Sequence, residues 1–549
     1  MTELSITPLG GAGEIGKNCT VVQQGDEWVV VDCGLSFPHE EHYGVDIVVP
    51  DFDHLVQNKD KVKGIFLTHA HEDHVGALGF LVPLLDCPIY ATRLSAALVR
   101  SKLAERANLT DPDIREVESG ETVKVGKLSV EFVRVTHSIP ESHALAVRTD
   151  HGIVLFTGDF RFDFTPVDGF QTDVGRLAKL AEEGVVLLLS DSTNVDRPGW
   201  GPSESTVTEG LRQAFRKAKG RVLTTMFASN IHRMQQIFDV AHETGRVVAV
   251  TGRRMEATIA LCRSMGYLNV PPKTHVRLDE LREYRADEIC VIATGSQGEP
   301  MAALTQMSRG EYSKLQIREG DTVLYSARPI PGNEAGIWRT VNRLFNLGAV
   351  VLVDPDPPIH VSGHAYREEL MAMINLTKPF YLAPVHGEAR HQFLYCEMAE
   401  AMGHAKHRMF TLANGDSLVV SENNAVVDRS AVPSGDVLID QNTNMAVESK
   451  TIHDRQALGH DGVAIVTVGI DFKRKEVMLR PQLVVRGLAV PPAVVERAQA
   501  DLCDAIAELS PAELADKETL EKEMIEAVRV SIKKTSRQQP LVIAIASEV

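Results

Sequence analysis

The chain of 549 residues is 44% hydrophobic and 24% charged, as in an ordinary globular protein, and its formal net charge is −17. This length predicts about two to four domains, because a single hydrophobic core stops growing well below it. The negative charge argues against a surface that binds polyanions over its whole area. It excludes neither a local basic groove nor a metal centre that binds phosphate.

The seven cysteines are scattered and form no C-x-x-C pair, and such a sparse, odd set is typical of a reducing compartment. The first residues, MTELSITPLGGAGEIG, have neither the basic start nor the apolar core of a secretion signal. No apolar run approaches the roughly 20 residues that a membrane helix needs. We therefore expect a cytoplasmic protein.

Residues 1–202 alternate short β-branched runs with turns, a pattern that predicts buried strands. The predicted strands include 28–31, 128–133, 153–156 and 185–189. Helices are expected between some of them, at about 74–86 and about 93–107.

From residue 203 the pattern changes to regular strand–helix units, which predict a parallel α/β domain over 203–355. Its strands are predicted at 222–225, 247–250, 290–293 and 322–325, and 350–353 is expected to close the sheet.

A Pro-rich stretch at 354–358 marks a boundary, and residues 356–425 return to the first pattern. They predict a strand at 380–383 and a helix at about 388–402. The polar residues 426–460 predict a linker with some extended structure. Residues 461–549 predict a small separate α/β domain, with strands near 464–468, 477–479 and 541–545 and helices at about 491–508 and 517–533.

A dense cluster of possible metal ligands follows the apolar run 64–67. His69, His71, Asp73 and His74 form an H-x-H-x-D-H pattern, in which a strand ends, a short loop turns and a helix begins near His74. Imidazole and carboxylate groups suit zinc or manganese, and such crowding is unfavourable without a cation. The cluster therefore predicts a metal site.

Further candidate ligands stand directly after predicted strands, namely His137, Asp159 and His386. Loops at the carboxyl ends of strands can converge on one point, so these side chains could complete a site for two metals. Asp32 also ends a strand and could orient a ligand by hydrogen bonding. Taken singly, each of these residues is equally explained as a polar group that caps a turn.

The combination of Asp32, the cluster at 69–74, His137 and Asp159 resembles the metallo-β-lactamase superfamily. The resemblance implies a four-layered αββα sandwich with metals at one edge of its two sheets. It assigns His69, His71 and His137 to one metal and Asp73, His74 and His386 to the other, with Asp159 bridging.

Three motifs in the second half resemble the extra motifs of the β-CASP nucleases: SDSTN at 190–194, HVSGHA at 360–365 and PVHGE at 384–388. Within that group the chain resembles the ribonuclease J family. The resemblance rests on PLGGAGEIGKN (8–18), HSIPES (137–142), GDFRFD (158–163), FASNIHRMQQ (227–236), ATGSQGEP (293–300) and IPGNE (330–334). The expected fold is α/β. A metallo-β-lactamase αββα sandwich (1–202 and 356–425) is interrupted by a β-CASP α/β domain (203–355) and followed by the linker (426–460) and a small C-terminal α/β domain (461–549).

The resemblance also implies catalytic roles, which fall on Asp73, Asp159, His364 and Asp191. His364 is the candidate that contacts the scissile phosphate and protonates the leaving oxygen, and Asp191 would hold either His364 or a ligand histidine by a hydrogen bond. The surrounding loop would recognise substrate phosphate, including a 5′-monophosphate end, because small residues let backbone N–H groups approach an anion. The alternative is a tight turn. The loop comprises His360, Val361, Ser362, Gly363, His364 and Ala365.

Further RNA contacts are predicted where a helix begins after residue 228, since free N–H groups there attract phosphate, and in an equivalent loop at Arg328. The alternative, equally open, is N-capping by Ser229 or Asn230 next to a solvated arginine. The candidates are Ser229, Asn230, His232, Arg233 and Arg328. By resemblance to some relatives, Asp46 and Asp440 would share a structural calcium ion.

We therefore expect a ribonuclease with two zinc ions per chain, manganese and magnesium remaining alternatives. It would act 5′→3′ from monophosphorylated ends in rRNA processing and mRNA decay, with endonucleolytic cleavage left open. The C-terminal domain would form a homodimer or homotetramer, and binding to other RNA-decay proteins is left open. Two other interpretations are a small-molecule metallohydrolase such as a thiolesterase and a non-catalytic RNA-binding scaffold.

Overall fold

The computed structural model describes residues 2–38, 42–107, 109–330, 333–422, 424–440, 443 and 445–549. Two residues of the IPGNE stretch, Pro331 and Gly332, lie outside them. The chain divides into two compact units, one of Met1–Ser36 and Val49–Asp436 and the other of Phe37–Val48 and Val437–Val549.

The first 200 residues form mainly strands, because their apolar runs are short, rich in valine, isoleucine and phenylalanine, and almost fully buried. The strands are β1 (Leu4–Gly10), β2 (Ala12–Gly13), β3 (Cys19–Gln24), β4 (Glu27–Val31), β5 (Ile47–Pro50), β6 (Val62–Phe66), β7 (Ile89–Ala91), β8 (Ile114–Glu116), β9 (Thr122–Val125), β10 (Leu128–Arg134), β11 (His143–Thr149), β12 (Gly152–Phe156) and β13 (Val185–Asp191). The helices are α1 (Asp53–Gln57), α2 (Glu72–Val75), α3 (Leu78–Leu81), α4 (Arg93–Ala107) and α5 (Val174–Glu183). All four strands predicted in this region are confirmed.

The single helix expected at 74–86 is wrong. The structure has the two short helices α2 and α3 there, followed by a 3-10 turn at Val82–Leu84. The N–H of Ala77 donates to the carbonyl of Cys33 at 3.0 Å, which takes it out of any helical ladder. Pro83 then removes a further N–H. The helix expected at 93–107 is confirmed as α4.

Regular strand–helix units follow, as predicted. They are α6 (Thr206–Lys217), β14 (Val222–Thr225), α7 (Ile231–Glu243), β15 (Val247–Val250), α8 (Arg253–Met265), β16 (Ile289–Ala293), α9 (Ala303–Arg309), β17 (Thr322–Tyr325), α10 (Glu334–Asn346) and β18 (Val350–Leu352). The five strands are parallel in the order β15-β16-β14-β17-β18, with β18 closing the sheet. Helices α6, α7 and α8 cover one face, and α9 and α10 cover the other. Both faces are buried, which explains the uninterrupted apolar strands.

The chain then returns to the first region with α11 (Arg367–Thr377), β19 (Tyr381–Val385), β20 (Gly387–Glu388), α12 (Ala389–Ala401), β21 (Ser417–Val420) and β22 (Ala425–Asp428). Two large sheets result, in the orders β22-β21-β1-β3-β4-β6-β7-β8 and β19-β13-β12-β11-β10-β9. They share one apolar core, to which Val29 and Phe66 contribute from the first sheet and Phe132 and Leu187 from the second. Helices α5, α11 and α12 cover the outer face of the second sheet. This is the expected sandwich interrupted by an α/β domain.

The second unit is built from β23 (Asp436–Asp440), β24 (Met445–Ala446), α13 (Ser449–Asp461), β25 (Val463–Asp471), β26 (Glu476–Arg486), α14 (Pro492–Ala507), α15 (Pro511–Ala515), α16 (Lys517–Ser536) and β27 (Leu541–Glu548). The strands and long helices predicted here are confirmed. One sheet has the order β26-β25-β27, and α14 and α16 pack on one face of it.

Two boundaries differ from the sequence prediction. The expected linker contains the helix α13, and residues 37–48 belong to the second unit rather than to the core. The N–H of Asp46 donates to the carbonyl of Ile439 at 3.0 Å, and Arg455 donates to the carbonyls of Tyr43 and Gly44 at 3.0 Å each. Such contacts join residues about 400 positions apart, so no local pattern announces them.

Candidate metal centre

Five of the seven predicted ligands lie in loops that follow the carboxyl ends of strands, and the other two, Asp73 and His74, lie on α2. His69 and His71 lie between β6 and α2, His137 follows β10, and Asp159 follows β12. His386 directly follows β19, and Asp191 is the last residue of β13. The strands β12, β13 and β19 are adjacent and parallel, so their ends meet at one edge of the sheet.

The first group of ligands consists of His69, His71, His137 and Asp159, whose ligand atoms all lie within 4.8 Å of one another. Nδ1 of His71 is 3.1 Å from Nε2 of His69 and 3.1 Å from Nε2 of His137. Oδ2 of Asp159 lies 3.7 Å from Nε2 of His69 and 3.6 Å from Nε2 of His137. One small volume is therefore surrounded by three ring nitrogens and a carboxylate.

The second group consists of Asp73, His74, His386 and the same Asp159, again within 4.8 Å. Oδ1 of Asp159 is 3.2 Å from Nε2 of His74 and 3.7 Å from Nδ1 of His386. Oδ2 of Asp73 is 3.1 Å from Nε2 of His386. Because the two oxygens of Asp159 face different groups, this one carboxylate links two adjacent volumes.

The chemistry of both groups fits a bound cation. Burial lowers the pKa of His71 to about 4, and it holds the pKa of His69 and of His137 well below the ordinary value, so these rings are neutral and can offer lone pairs. Burial also opposes a charged His386, yet the carboxylates of Asp159, Asp191 and Asp73 raise its pKa to about 10. A positive charge is therefore favoured in the second group. Oδ1 of Asp159 is buried and, among the described residues, accepts no hydrogen bond of normal geometry, as expected of an oxygen that faces a cation.

Asp32 occupies the position that the sequence predicts for an orienting group. Its Oδ2 lies 2.7 Å from Nδ1 of His74, and its carboxylate accepts the N–H and the hydroxyl of Thr68 at 2.8 Å each. Its backbone φ is 61°, in the left-handed region that non-glycine residues avoid. The strain and the three contacts fix the ring of His74, leaving Nε2 to face Asp159.

Asp191 and His364 form a second pair beside the metal ligands. Oδ2 of Asp191 is 2.8 Å from Nδ1 of His364, so Nδ1–H donates to the carboxylate and Nε2 remains for other chemistry. Burial works against the charged ring, but Asp191 and Asp159 raise the pKa of His364. Thr193 donates its hydroxyl to Oδ1 of Asp191 at 2.7 Å and also lies 2.8 Å from Nδ1 of His386.

The loop 360–365 lies against the first group of ligands. The carbonyl of Gly363 accepts a hydrogen bond from Nδ1–H of His137 at 2.7 Å. A Cβ on Gly363 would lie 2.7 Å from Cε1 of His137, so only glycine allows this approach. Ser362 accepts a hydrogen bond from the amide of Asn194 at 2.8 Å. The structure thus brings this loop to the metal ligands.

The candidates at the start of α7 are not all available to RNA. Arg233 is fully buried, and its guanidinium donates to Glu204, Ser326 and the carbonyl of Ile359, so its prediction as a direct RNA contact is wrong. Asn230 is buried and caps α7 by accepting the N–H of Arg233 at 3.0 Å, as the capping alternative predicts. His232 lies 3.1 Å from Oδ2 of Asp168.

Ser229 and Arg328 remain partly exposed. Ser229 precedes the cap of α7, and Arg328 follows β17 at the carboxyl edge of the parallel sheet. Among the described residues, Nη1 of Arg328 is buried and has no hydrogen-bond partner. Burial lowers the pKa of His360 most, followed by the charges of Arg233 and Arg328. Arg328 therefore lies near the loop 360–365.

The pair Asp46 and Asp440 lies in the second unit. Oδ2 of Asp440 is 3.9 Å from Nη2 of Arg455, which supplies positive charge to this carboxylate. The calcium ion expected here stays a prediction.

Three residues near the site were missed in the sequence. Thr68 holds Asp32, Thr193 holds Asp191, and the amide of Asn18 donates to the carbonyl of Asp73 at 3.0 Å and lies 3.1 Å from Nε2 of His74. Thr193 stands in SDSTN two positions after Asp191, and this spacing is a usable signal. Asn18 is 55 positions from Asp73, so no local pattern marks it.

Family models match most of the chain. They are the metallo-beta-lactamase superfamily over residues 12–205, the ribonuclease J beta-CASP domain over 219–344, the Zn-dependent metallo-hydrolase RNA specificity domain over 358–408 and the ribonuclease J C-terminal domain over 450–549. In the described residues no helix is long and apolar enough to cross a membrane.

Two relatives are similar over most of their own length. Ribonuclease J2 of Bacillus subtilis is 36% identical over 99% of this chain and 98% of its own. Ribonuclease J of Synechocystis is 40% identical over 90% of this chain and 77% of its own. A crystal structure of a protein of unknown function from Enterococcus faecalis has a TM-score of 0.53 at 18% identity, covering 76% of this chain and 100% of that one, and this likeness shows the fold alone.

Proposed function

The chain belongs to the ribonuclease J family and is a metal-dependent ribonuclease, and we propose that it degrades RNA 5′→3′ from 5′-monophosphorylated ends and also cleaves internal bonds. The cellular roles that we propose are rRNA processing and mRNA decay. The observation that carries the proposal is the contact between Gly363 and His137, because it joins a loop suited to phosphate directly to the metal ligands.

We propose two zinc ions per chain, with manganese or magnesium as other ions that these ligands accept. The two groups of ligands share Asp159, and this supports a pair of cations rather than one. When bound, such a pair acts as a Lewis acid on the phosphate and activates water. The protein's contribution is to fix their ligands, through Asp32 on His74 and through Gly363 on His137.

His364 is the proposed proton donor to the leaving oxygen. Nδ1–H is engaged by Asp191, which fixes the ring and favours its protonated form, and Nε2 is then the nitrogen that can release a proton. The N–H groups of the loop 360–365 would hold the phosphate, with Ser362 as an additional donor. The N–H groups of His364 and Ala365 are excepted, because they donate to the hydroxyl of Ser362 and to the carbonyl of Phe160. Ser229, His232 and Arg328 are the proposed contacts to the RNA backbone. Nη1 of Arg328 has no hydrogen-bond partner in the part of the chain that the structure describes, which supports its assignment.

The proposed assembly is a homodimer or homotetramer formed through the C-terminal sheet. Val484, Ile465 and Ile543 lie side by side across β26, β25 and β27. The helices α14 and α16 pack on the other face, and Val484 and Ile543 are 45% and 42% exposed. An apolar row of this kind is typical of an interface.

The experiment that tests the activity offers end-labelled RNA with a 5′-monophosphate, triphosphate or hydroxyl to the metal-loaded enzyme. Release of single nucleotides, fastest from the monophosphate form, is expected. Equal rates from all three ends would contradict the proposed end recognition, and products that are all longer than a nucleotide would contradict the exonuclease.

A further inference from the structure

Two buried arginines donate hydrogen bonds to backbone carbonyls at the start of the loop 360–365 and within it. Nη1 of Arg161, which follows the ligand Asp159 by two residues, donates to the carbonyl of Ser362 at 2.9 Å. Nη1 of Arg233, on α7 of the inserted domain, donates to the carbonyl of Ile359 at 2.9 Å. The carbonyls of Ile359 and Ser362 therefore bind to different domains, the first to the α/β insertion and the second to the sandwich.

A single carboxylate connects the two arginines. Oε1 of Glu204 is 2.6 Å from Nη2 of Arg233, and Oε2 of Glu204 is 3.9 Å from Nη2 of Arg161. Asp163 pairs with the same nitrogen of Arg161, Nη2. All four side chains are at most 4% exposed, and their charges alternate and cancel. Buried charges of this kind are stable only when each is paired, so the four residues act as one unit.

The direction of the two carbonyls determines the direction of the loop's N–H groups. The peptide bonds that follow Ile359 and Ser362 are trans, so the C=O and N–H of each peptide unit point in opposite directions within its plane. With both carbonyls turned to the arginines, the N–H groups of His360 and Gly363 point to the other side. Gly363 also contacts the ring of His137, so the loop cannot rotate without disturbing a metal ligand.

We propose that Arg233, Glu204 and Arg161 form an inter-domain clamp that orients the N–H groups of His360 and Gly363, in the loop 360–365, toward the 5′-phosphate of the RNA. Arg233 is thus a positioning residue through which the inserted domain controls phosphate recognition. This inference rests on the proposed role of the loop in binding a 5′-monophosphate.

The test is the variant Arg233→Lys. A lysine keeps the charge next to Glu204, but its single ammonium cannot replace the planar fork that reaches both Glu204 and Ile359. Ser326→Ala is a milder second variant without a change of charge, because the hydroxyl of Ser326 donates to the carbonyl of Ile359 at 2.6 Å and accepts from Arg233. The matched control is Arg221→Lys, which alters a similarly buried pair with Asp321 at the opposite edge of the same sheet.

We expect Arg233→Lys to raise KM for 5′-monophosphorylated RNA about 10- to 100-fold, with a smaller change in kcat, because a displaced loop loses its phosphate contacts. The preference for monophosphate over hydroxyl ends should fall in proportion. Ser326→Ala should shift both quantities in the same direction by less. Arg221→Lys should leave KM and the preference unchanged at a similar loss of thermal stability.

The outcomes distinguish a failure of the clamp from a failure of the loop's proposed function. If the unmodified enzyme shows no preference for monophosphate ends, the proposed function of the loop fails, whatever the variants do. If the unmodified enzyme has that preference and Arg233→Lys and Ser326→Ala both keep it, the clamp is wrong. An equal rise of KM in Arg221→Lys would also overturn it, since the effect would then be one of general stability.

Discussion

Nδ1 of His74 lies 2.7 Å from Oδ2 of Asp32, a residue at the end of a different strand. The same carboxylate accepts two hydrogen bonds from Thr68, next to His69. The buried carboxylate of Asp32 therefore orients His74 directly and fixes Thr68, the residue that precedes His69.

From this relationship we expect Asp32→Asn to weaken metal binding about 10- to 100-fold, because an amide cannot stabilise the Nδ1–H tautomer of His74 as a carboxylate does. Competition with a chromogenic chelator measures the affinity directly. The exposed Asp26→Asn is the control, since Asp26 forms a surface ion pair with Lys61 at 3.6 Å. Unchanged affinity in Asp32→Asn would show that His74 is oriented by other contacts.

Removal of the metal by a chelator, or the substitution His74→Ala, should abolish RNA cleavage. His74 faces Asp159 at 3.2 Å in the second group of ligands, so its loss leaves that group with three members. Cleavage of labelled RNA before and after chelation, and after restoration of zinc or manganese, is the measurement. Rates in His74→Ala equal to those of the unmodified enzyme would contradict the assignment of the ligands.

Whether a residue of this centre can be identified from the sequence depends on how far along the chain its partners lie. The spacing of His69, His71 and His74 is local, and strand ends mark His137, Asp159 and His386, so these residues could be found without a structure. Arg233 could not be interpreted in this way. Its partners Glu204 and Ile359 lie 29 and 126 residues away, and a buried arginine has the same local pattern as a solvated one.

The accuracy of the fold prediction also differs between local features and features that depend on distant contacts. Strands with apolar runs, such as β12 and β13, are predicted within two residues, because burial on both faces dictates their composition. The helix expected at 74–86 fails because the carbonyl of Cys33, from another strand end, takes the N–H of Ala77. Such tertiary competition for one hydrogen bond leaves no mark in the sequence.

The charged contacts of Glu131 lead us to expect that the protein loses stability in acid, independently of the metal centre. Burial opposes its charge, but hydrogen bonds from Arg176 and Arg148 hold the pKa of Glu131 below the ordinary value. A lowered folded-state pKa stabilises the protein above the unfolded-state pKa, and this contribution is lost as the pH falls through the folded-state pKa. We expect Glu131→Gln to lower Tm at pH 7, and the gap from the unmodified protein to close below about pH 4.

Thermal unfolding from pH 7 to pH 3 tests this, with the exposed Glu182→Gln as the control. Loss of metal in acid affects all three proteins, so only the differences in Tm are compared. A gap that stays constant over the whole range would mean that Glu131 acts through packing and not through its charge.

The apolar row on the C-terminal sheet predicts the behaviour of Val484→Lys. A lysine there places a charge in the proposed interface between copies, so the variant should be monomeric by light scattering. Val530→Lys is the control, because Val530 is similarly exposed at 49% but lies on α16, which covers the other face of the sheet. Assembly of Val484→Lys equal to that of the control would exclude this face as the interface.

Arg328→Gln tests the proposed contact with the RNA backbone. Arg328 follows β17, and its buried Nη1 has no hydrogen-bond partner among the described residues. A phosphate could therefore accept a hydrogen bond from Nη1 without displacing another acceptor. We expect weaker binding of all single-stranded RNAs regardless of sequence, and a salt dependence whose slope falls by about one. Fluorescence anisotropy over a range of salt concentrations measures both. Arg282→Gln is the control, because Arg282 is exposed and precedes β16 at the opposite edge of the same parallel sheet. A slope that stays the same in Arg328→Gln would mean that this arginine supports the loop 360–365 instead of contacting RNA.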